Sequence, residues 1–229
     1  SDDQLAEAIR AAAIDILVDL AGHSNGNRLA VFCMKPAPIA ATGWGYATGT
    51  GVPEIDYFFA DRMTVPPESR SGFSESIVYL PSIVPYGPPA QSPPICPLPA
   101  WGNQRVTFGS FNRLEKCSPE VFALWSRVLH AVPSSQFTLK SAEFDRPGAI
   151  RRAFDAFEAN GIPRSRVTIA GESAHIAHLY SFRMVDISLD TFPHTGGVTS
   201  LESLWMGVPV VTLLGPRTVE RLTASFLTT

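Results

Sequence analysis

Apolar residues recur along the chain with two alternating patterns, helical stripes and short continuous runs, and this alternation predicts an α/β protein. Leu5, Ala6, Ile9 and Ala13 share one helical face, so a helix is expected over 3–12. The run 14–20 has the length and branching of a buried strand. A polar loop from Ala21 to Asn27 leads to a short helix over 28–34, ended by Lys35-Pro36-Ala37-Pro38. Residues 39–42, 57–60 and 76–80 are further strand candidates. Between the first two, four of the nine residues 43–51 are glycine, the mark of a loop with unusual dihedrals or a close approach.

Beyond residue 104 the alternation becomes regular. Strands are expected at 106–111, 137–140, 167–170, 187–189 and 208–213. Helices are expected between them at 119–131, 147–160, 174–182 and 199–206, and again from 218 onward. Ser118 is placed to cap the first of these helices with Pro119 at its first position, and Gly161 and Gly207 close two others. Such interleaving predicts a mostly parallel, doubly wound sheet, whose ligands bind beyond the carboxyl ends of the strands.

Eight prolines fall within 81–99 and read as a stiff, extended connector. They divide the chain into a first domain over 1–84, a connector over 85–103 and a second domain over 104–229. Helical patterns are interrupted at both ends, which predicts a piece of a longer protein, with the first domain incomplete and the second truncated.

Composition narrows the class. At 45% hydrophobic and 17% charged, the 229 residues describe a folded chain able to bury a core. A net charge of −3 disfavours nucleic acid as a partner. The three cysteines, Cys33, Cys96 and Cys117, form no C-x-x-C pair, which argues against a disulfide scaffold or zinc site and fits a reducing cytoplasm. No apolar run has the length of a membrane span, and Ser-Asp-Asp-Gln is not the start of a signal peptide.

The strongest candidate site is the strand–loop–helix segment Asp190 to Val211. Gly196 and Gly197 let the backbone approach a ligand, and the following helix offers free N–H groups and a positive dipole end to a phosphate. Thr199 adds a hydroxyl there, and Glu202, one turn on, is placed to accept ribose hydroxyls. Thr199 and Glu202 also have the spacing of a capping box. After the first strand of the second domain, Arg113 and Lys116 bring two cations to the same edge, where Lys116 would stabilise a departing diphosphate. His175 and His178 share one face of the helix over 174–182. They lack a third ligand for zinc, so donor contact is the favoured role. The sequence has no Asp-x-Asp metal pair, no G-x-S-x-G and no P-loop.

Taken in order, these motifs resemble the catalytic region of the protein O-linked N-acetylglucosamine transferases, glycosyltransferase family 41, with its bacterial and plant Spindly-like members. The residues carrying the resemblance begin with Asp19-Leu20-Ala21-Gly22-His23 through Arg28, Lys35-Pro36-Ala37-Pro38, and Trp44-Gly45-Tyr46 with Gly49 and Gly51. Asp56-Tyr57, Ala60-Asp61, Phe111-Asn112-x-Leu114-x-Lys116, Leu189-Asp190-Thr191 and Leu204 through Thr212 continue it. The resemblance implies a GT-B-type fold of two Rossmann-like domains and a UDP-sugar donor, typically UDP-N-acetylglucosamine. It further implies inverting transfer to protein serine or threonine hydroxyls without a metal or other cofactor.

Residue by residue, the resemblance places Lys116 at the donor diphosphate and Arg113 at the nucleotide. His178 falls near the uridine, and Ser173, Ala174 and His175 on the backbone that reads the base. Gly197, Val198 and Thr199 fall on the family's His-Thr-Thr phosphate contact beside Gly196, and Glu202 on its ribose-binding aspartate. Tyr46, Ala47 and Gly49 stand where the family has its acceptor- and sugar-side Gly-Tyr-Pro-Gly-Thr loop. The general base and the acceptor-selecting tetratricopeptide repeats fall outside this chain, as do the last helices that cross back to the first domain, so the isolated segment is expected to be inactive. Two other readings remain open from sequence: a non-catalytic nucleotide-sugar sensor, motivated by the altered residues at 197, 198 and 47–49, and another GT-B enzyme such as a UDP-sugar epimerase.

Overall fold

A computed structural model describes residues 1–84, 86–87 and 89–229. The chain divides into two units, Ser1–Pro85 together with Pro216–Thr229, and Tyr86–Gly215.

The first unit opens with α1 (Asp2–Ala11), closed at its start by a capping box in which Ser1 and Gln4 satisfy each other's backbone N–H groups. It continues through β1 (Ile16–Asp19), α2 (Leu29–Cys33), β2 (Ile39–Thr42), β3 (Tyr57–Ala60) and β4 (Ser76–Tyr79). The four strands form one parallel sheet in the order β1-β2-β3-β4. The segment 14–20, expected as a buried strand, is instead a short edge strand with an open face. Ile14, Ile16, Val18 and Leu20 alternate onto one face and are all exposed, Leu20 to 63%, while Leu17 on the opposite face packs against Leu29, Phe32, Ala40 and Ile55. Asp19 ends the strand and turns the chain, its carboxylate accepting from the Ala21 and Gly22 amides and the Thr42 hydroxyl.

The second unit carries α3 (Pro99–Asn103), β5 (Thr107–Ser110), α4 (Pro119–Ala131), β6 (Gln136–Lys140), α5 (Pro147–Ala159), β7 (Val167–Ala170), α6 (His175–Ser181), β8 (Ile187–Leu189), α7 (Val198–Trp205) and β9 (Val210–Val211). Its sheet is parallel throughout, in the order β7-β6-β5-β8-β9. The chain therefore winds outward in one direction from β5 and then in the other from β8, leaving a topological switch point between these two strands. Ser118 caps α4 as expected, accepting from the Val121 amide. The cap contributes about 1 kcal/mol. Burial of Val121, Phe122, Trp125 and Leu129 contributes about 1.5–3 kcal/mol for each side chain, so the apolar face fixes where α4 docks. That face packs with Phe137, Phe157 and Ile162 into the main core on one side of the sheet. A smaller core of Phe111, Leu179, Phe182, Val185, Met206 and Val208 gathers α6 and the end of α7.

Two boundaries differ from the sequence expectation. The proline-rich stretch is not a free connector, since its residues from Tyr86 onward belong to the second unit. Trp205 Nε1 donates to Ser92 Oγ at 2.9 Å, the Ala100 amide donates to Asp186, and Ile95 lies against Gly207 so closely that a Cβ there would come within 2.9 Å. Pro85 and Pro88, also assigned to the connector, lie outside the described residues.

Residues 216–229, expected as the tail of the second domain, belong to the first unit. There α8 (Leu222–Leu227) is held by Arg221, which donates to the Met63 carbonyl, and by Ser225, which donates to Asp61. Among the described residues no helix is long and apolar enough to cross a membrane.

Candidate functional site

The switch point concentrates the sequence-predicted residues. Phe111, Asn112 and Arg113 leave the end of β5, and a single 3-10 turn, Leu114–Lys116, follows. From the end of β8 the chain enters the loop Asp190–Gly197 and then α7. The half-buried Lys116 ammonium donates to the Thr195 carbonyl at 2.8 Å, so the lysine and the glycine loop are in direct contact. Burial lowers the Lys116 pKa and Asp190 opposes that shift, with a net displacement downward. Arg113 is exposed beside it.

Gly196 is required by packing, because a Cβ there would meet Ser200 Oγ at 2.0 Å and Asp190 Oδ1 at 3.1 Å. Gly197 has nothing within 4 Å of a built Cβ and is the N-cap residue of α7. Neither Thr199 nor Glu202 caps that helix, so the capping-box reading fails. Thr199 Oγ1 donates to Asn112 Oδ1 at 3.1 Å. The buried Glu202 carboxylate turns to α6, with Oε1 at 2.8 Å from His175 Nε2 and Oε2 at 3.3 Å from His178 Nε2. Burial alone would raise the Glu202 pKa, but the bonds to His178 and His175 outweigh it and hold the carboxyl below the ordinary value. Val198, exposed at the first helical position, brings no polar group.

His178 is the better fixed of the two imidazoles. Its ring lies edge-on to Phe111 at 5.5 Å and to Phe182 at 5.7 Å. His178, Arg113 and Ser173 line a cavity of about 300 Å³ together with Phe111, Lys140 and Glu172. Ala174 precedes the first turn of α6 as its N-cap. The geometry thus gathers Arg113, Lys116, Ser173, Ala174, His175, His178, Gly196, Gly197, Val198, Thr199 and Glu202 at or beside the carboxyl ends of β5, β7 and β8.

Three neighbours of this cluster were given no role from sequence. Asp190 is buried at the mouth of the loop, Asn112 bridges Asp190 and Thr199, and His194 lies beside Lys116 and Arg113. Desolvation, then the charges of Lys116 and Arg113, push the His194 imidazole down to about 4, although part of its ring still meets solvent. A polar residue within two positions of the end of a buried strand at a switch point is the sequence signal that marks Asp190 and Asn112.

In the first unit, Tyr46 is exposed and lies edge-on to His23 at 5.6 Å. His23 Nε2 is 2.9 Å from the Thr50 carbonyl, so this nitrogen carries the proton in that contact. Gly22 has φ +51 and a Cβ on it would strike Tyr46 Cβ at 2.4 Å. Ala47 is half-buried, and Gly49 lies against Phe73 and the buried Glu75, which binds the Thr50 amide and hydroxyl. Tyr46, Ala47 and Gly49 therefore form one ordered loop beyond the carboxyl end of β2. Among the described residues no group of three His, Cys, Asp or Glu side chains is arranged to hold a metal ion.

Two units, each built on a parallel sheet, one of them with a lysine and a glycine loop at its switch point, have the architecture of the GT-B-type glycosyltransferase fold. The chain belongs to glycosyl transferase family 41, whose sequence pattern matches residues 1–91 and 98–229. It is 38% identical over 229 residues to the Arabidopsis thaliana protein named Probable UDP-N-acetylglucosamine--peptide N-acetylglucosaminyltransferase SPINDLY, covering 99% of this chain and 25% of that protein. The Solanum lycopersicum protein of the same name is 38% identical over 230 residues, with 100% and 25% covered. Among solved structures, a variant of the Thermobaculum terrenum O-GlcNAc transferase superposes with a TM-score of 0.94 at 36% identity, covering 100% of this chain and 43% of that one. The chain thus spans a quarter of the length of these plant relatives.

Proposed function

We propose that this segment supplies the donor site, and part of the acceptor side, of a transferase that moves N-acetylglucosamine from its UDP ester to serine or threonine hydroxyls of proteins. The observation that carries the reading is the contact of Lys116 with the Thr195 carbonyl of the glycine loop at the sheet's switch point. This contact puts a cation and the positive N-terminal end of α7 in one place, where a diphosphate is best held. The names of the relatives supply the sugar and the acceptor class.

In the proposed reaction the acceptor hydroxyl oxygen forms a bond to the anomeric carbon from the side opposite the diphosphate. The carbon–oxygen bond to the diphosphate breaks, and its electron pair leaves with the nucleotide. Lys116, Arg113 and the α7 N-terminus stabilise that developing charge, which is the task a divalent ion performs in other sugar-nucleotide enzymes. A transfer without metal follows from this arrangement as part of the proposal. Glu202 receives the ribose hydroxyls, with His175, the more exposed of its two partners, giving way. The cavity beside Ser173 and His178 receives the base. Tyr46, Ala47 and Gly49, on the loop after β2, are assigned to the acceptor side by this reading. The proton leaves with a base that this reading places elsewhere in the full-length protein, as it does the repeats that select the acceptor.

The test is transfer by the full-length protein with Lys116→Ala. Loss of transfer with an unchanged circular dichroism spectrum is expected, and unchanged turnover would refute the assigned role. Titration with UDP, and with ADP and GDP as controls, checks the nucleotide.

A further inference from the structure

Asp190 occupies a position that none of the donor contacts explains. It follows the last residue of β8, is buried, and gathers the segments that make up the diphosphate site. Its Oδ1 accepts from the Thr191 amide at 2.8 Å, the Gly196 amide at 2.7 Å and Asn112 Nδ2 at 3.3 Å. Its Oδ2 accepts from Thr212 Oγ1 at 2.8 Å, just after β9, and its backbone carbonyl accepts from Trp125 Nε1 at 3.3 Å. Through Asn112 the same network reaches the Thr199 hydroxyl on α7. One carboxylate thus ties the ends of β5, β8 and β9 to the first turn of α7.

A buried carboxylate costs several kcal/mol in desolvation unless it is fully bonded, and here it is, with four donors on two oxygens. An asparagine of the same shape would satisfy fewer of those donors and carry no charge. The charge has a second effect. Lys116 is held by a carbonyl, which carries no formal charge. The charged and titratable groups acting on Lys116 are Asp190 from β8, Arg113 and Cys117 from its own segment, and His194 from the loop. Burial and Arg113 favour its neutral form, while Asp190 leads the groups favouring the ammonium.

We propose that Asp190 is the positioning residue of the diphosphate site, fixing on α7 the glycine loop whose Thr195 carbonyl holds the Lys116 ammonium. This rests on the donor-site reading above. The test is calorimetric titration of UDP into the full-length protein from about pH 6 to about pH 10. Affinity of the unmodified protein falls on the alkaline side as Lys116 loses its proton. Asp190→Asn is expected to move that fall toward neutral pH, a displacement that loosened packing alone does not produce.

Thr212→Val is the second variant. Thr212 Oγ1 reaches the site through Asp190 Oδ2 and leaves the charge in place. It should weaken UDP binding about tenfold without moving the alkaline fall, and it serves if Asp190→Asn does not fold. UDP binding by the unmodified protein, with the fall unmoved in Asp190→Asn or the affinity unchanged in Thr212→Val, overturns this inference alone. Absence of UDP binding to the unmodified protein overturns the donor-site reading and this inference with it.

Discussion

His178 on α6 and Glu202 on α7 face each other with Nε2 and Oε2 3.3 Å apart, and this pair joins the edge proposed for the base to the edge proposed for the ribose. The second oxygen of the same carboxylate is taken by His175 at 2.8 Å. A carboxylate expected to await a ribose is therefore already engaged on both oxygens.

The Glu202 pair gives a pH dependence with a defined sign. The folded-state carboxyl lies below its reference value of 4.5, so the stabilisation is fully present above the unfolded value and is lost as pH falls through the lowered one. Urea midpoints should drop below about pH 4.5 more steeply for the unmodified chain than for Glu202→Gln. Parallel pH curves for the two would contradict the pairing.

His194 gives a pH dependence of the same sign for a different reason, since the fold favours its neutral form. Its folded value near 4 lies below the reference 6.5, so the unfolded chain binds more protons between these limits. Stability therefore rises with pH across that window, and acid weakens the fold as the imidazole is forced to charge. Proton NMR of the His194 ring should give a midpoint near 4, and a midpoint at the ordinary value would show that the Lys116 and Arg113 charges do not reach it.

The two adjacent glycines should respond differently to a methyl group. Gly196→Ala places Cβ 2.0 Å from Ser200 Oγ and should cost about 1–3 kcal/mol with loss of UDP binding. Gly197→Ala meets nothing within 4 Å and should cost less, about 0.5–1 kcal/mol through a weaker N-cap. Chemical denaturation of both variants checks this. Ser200→Ala in the Gly196→Ala background should recover part of the loss, which a double-mutant cycle measures.

Periodicity located most of the second unit. Pro119–Ala131 was legible to the residue because a capping serine, a first-turn proline and an apolar stripe agree. The cluster of Lys116, Gly196 and Glu202 was legible because each follows a strand or opens a helix at the sheet's ligand edge. Other features depended on contacts distant in sequence. Nothing near 14–20 tells that its apolar side chains lie on an open edge. The return of 222–227 to the first unit is carried by Arg221 with Met63 and Ser225 with Asp61, pairs more than 150 residues apart. Asp190 matters through Asn112 and Thr212, which only the strand order brings to it. The capping-box spacing of Thr199 and Glu202 was real, but His175, His178 and Asn112 offered both side chains closer partners.

The described residues from Tyr86 to Leu98 belong to the second unit but form no helix or strand, and so lack the ladder bonds that order most chain. Fixing the backbone of an ordinary residue costs about 1–2 kcal/mol in lost entropy. Pro89, Pro93, Pro94, Pro97 and Pro99 have φ restricted before the chain folds, so less freedom remains to be lost there. Contacts as few as Trp205 with Ser92 and Ile95 with Gly207 can therefore hold the belt in register. In this stretch the covalent ring of proline does in the unfolded chain the restraining work that hydrogen bonds do elsewhere in the folded one.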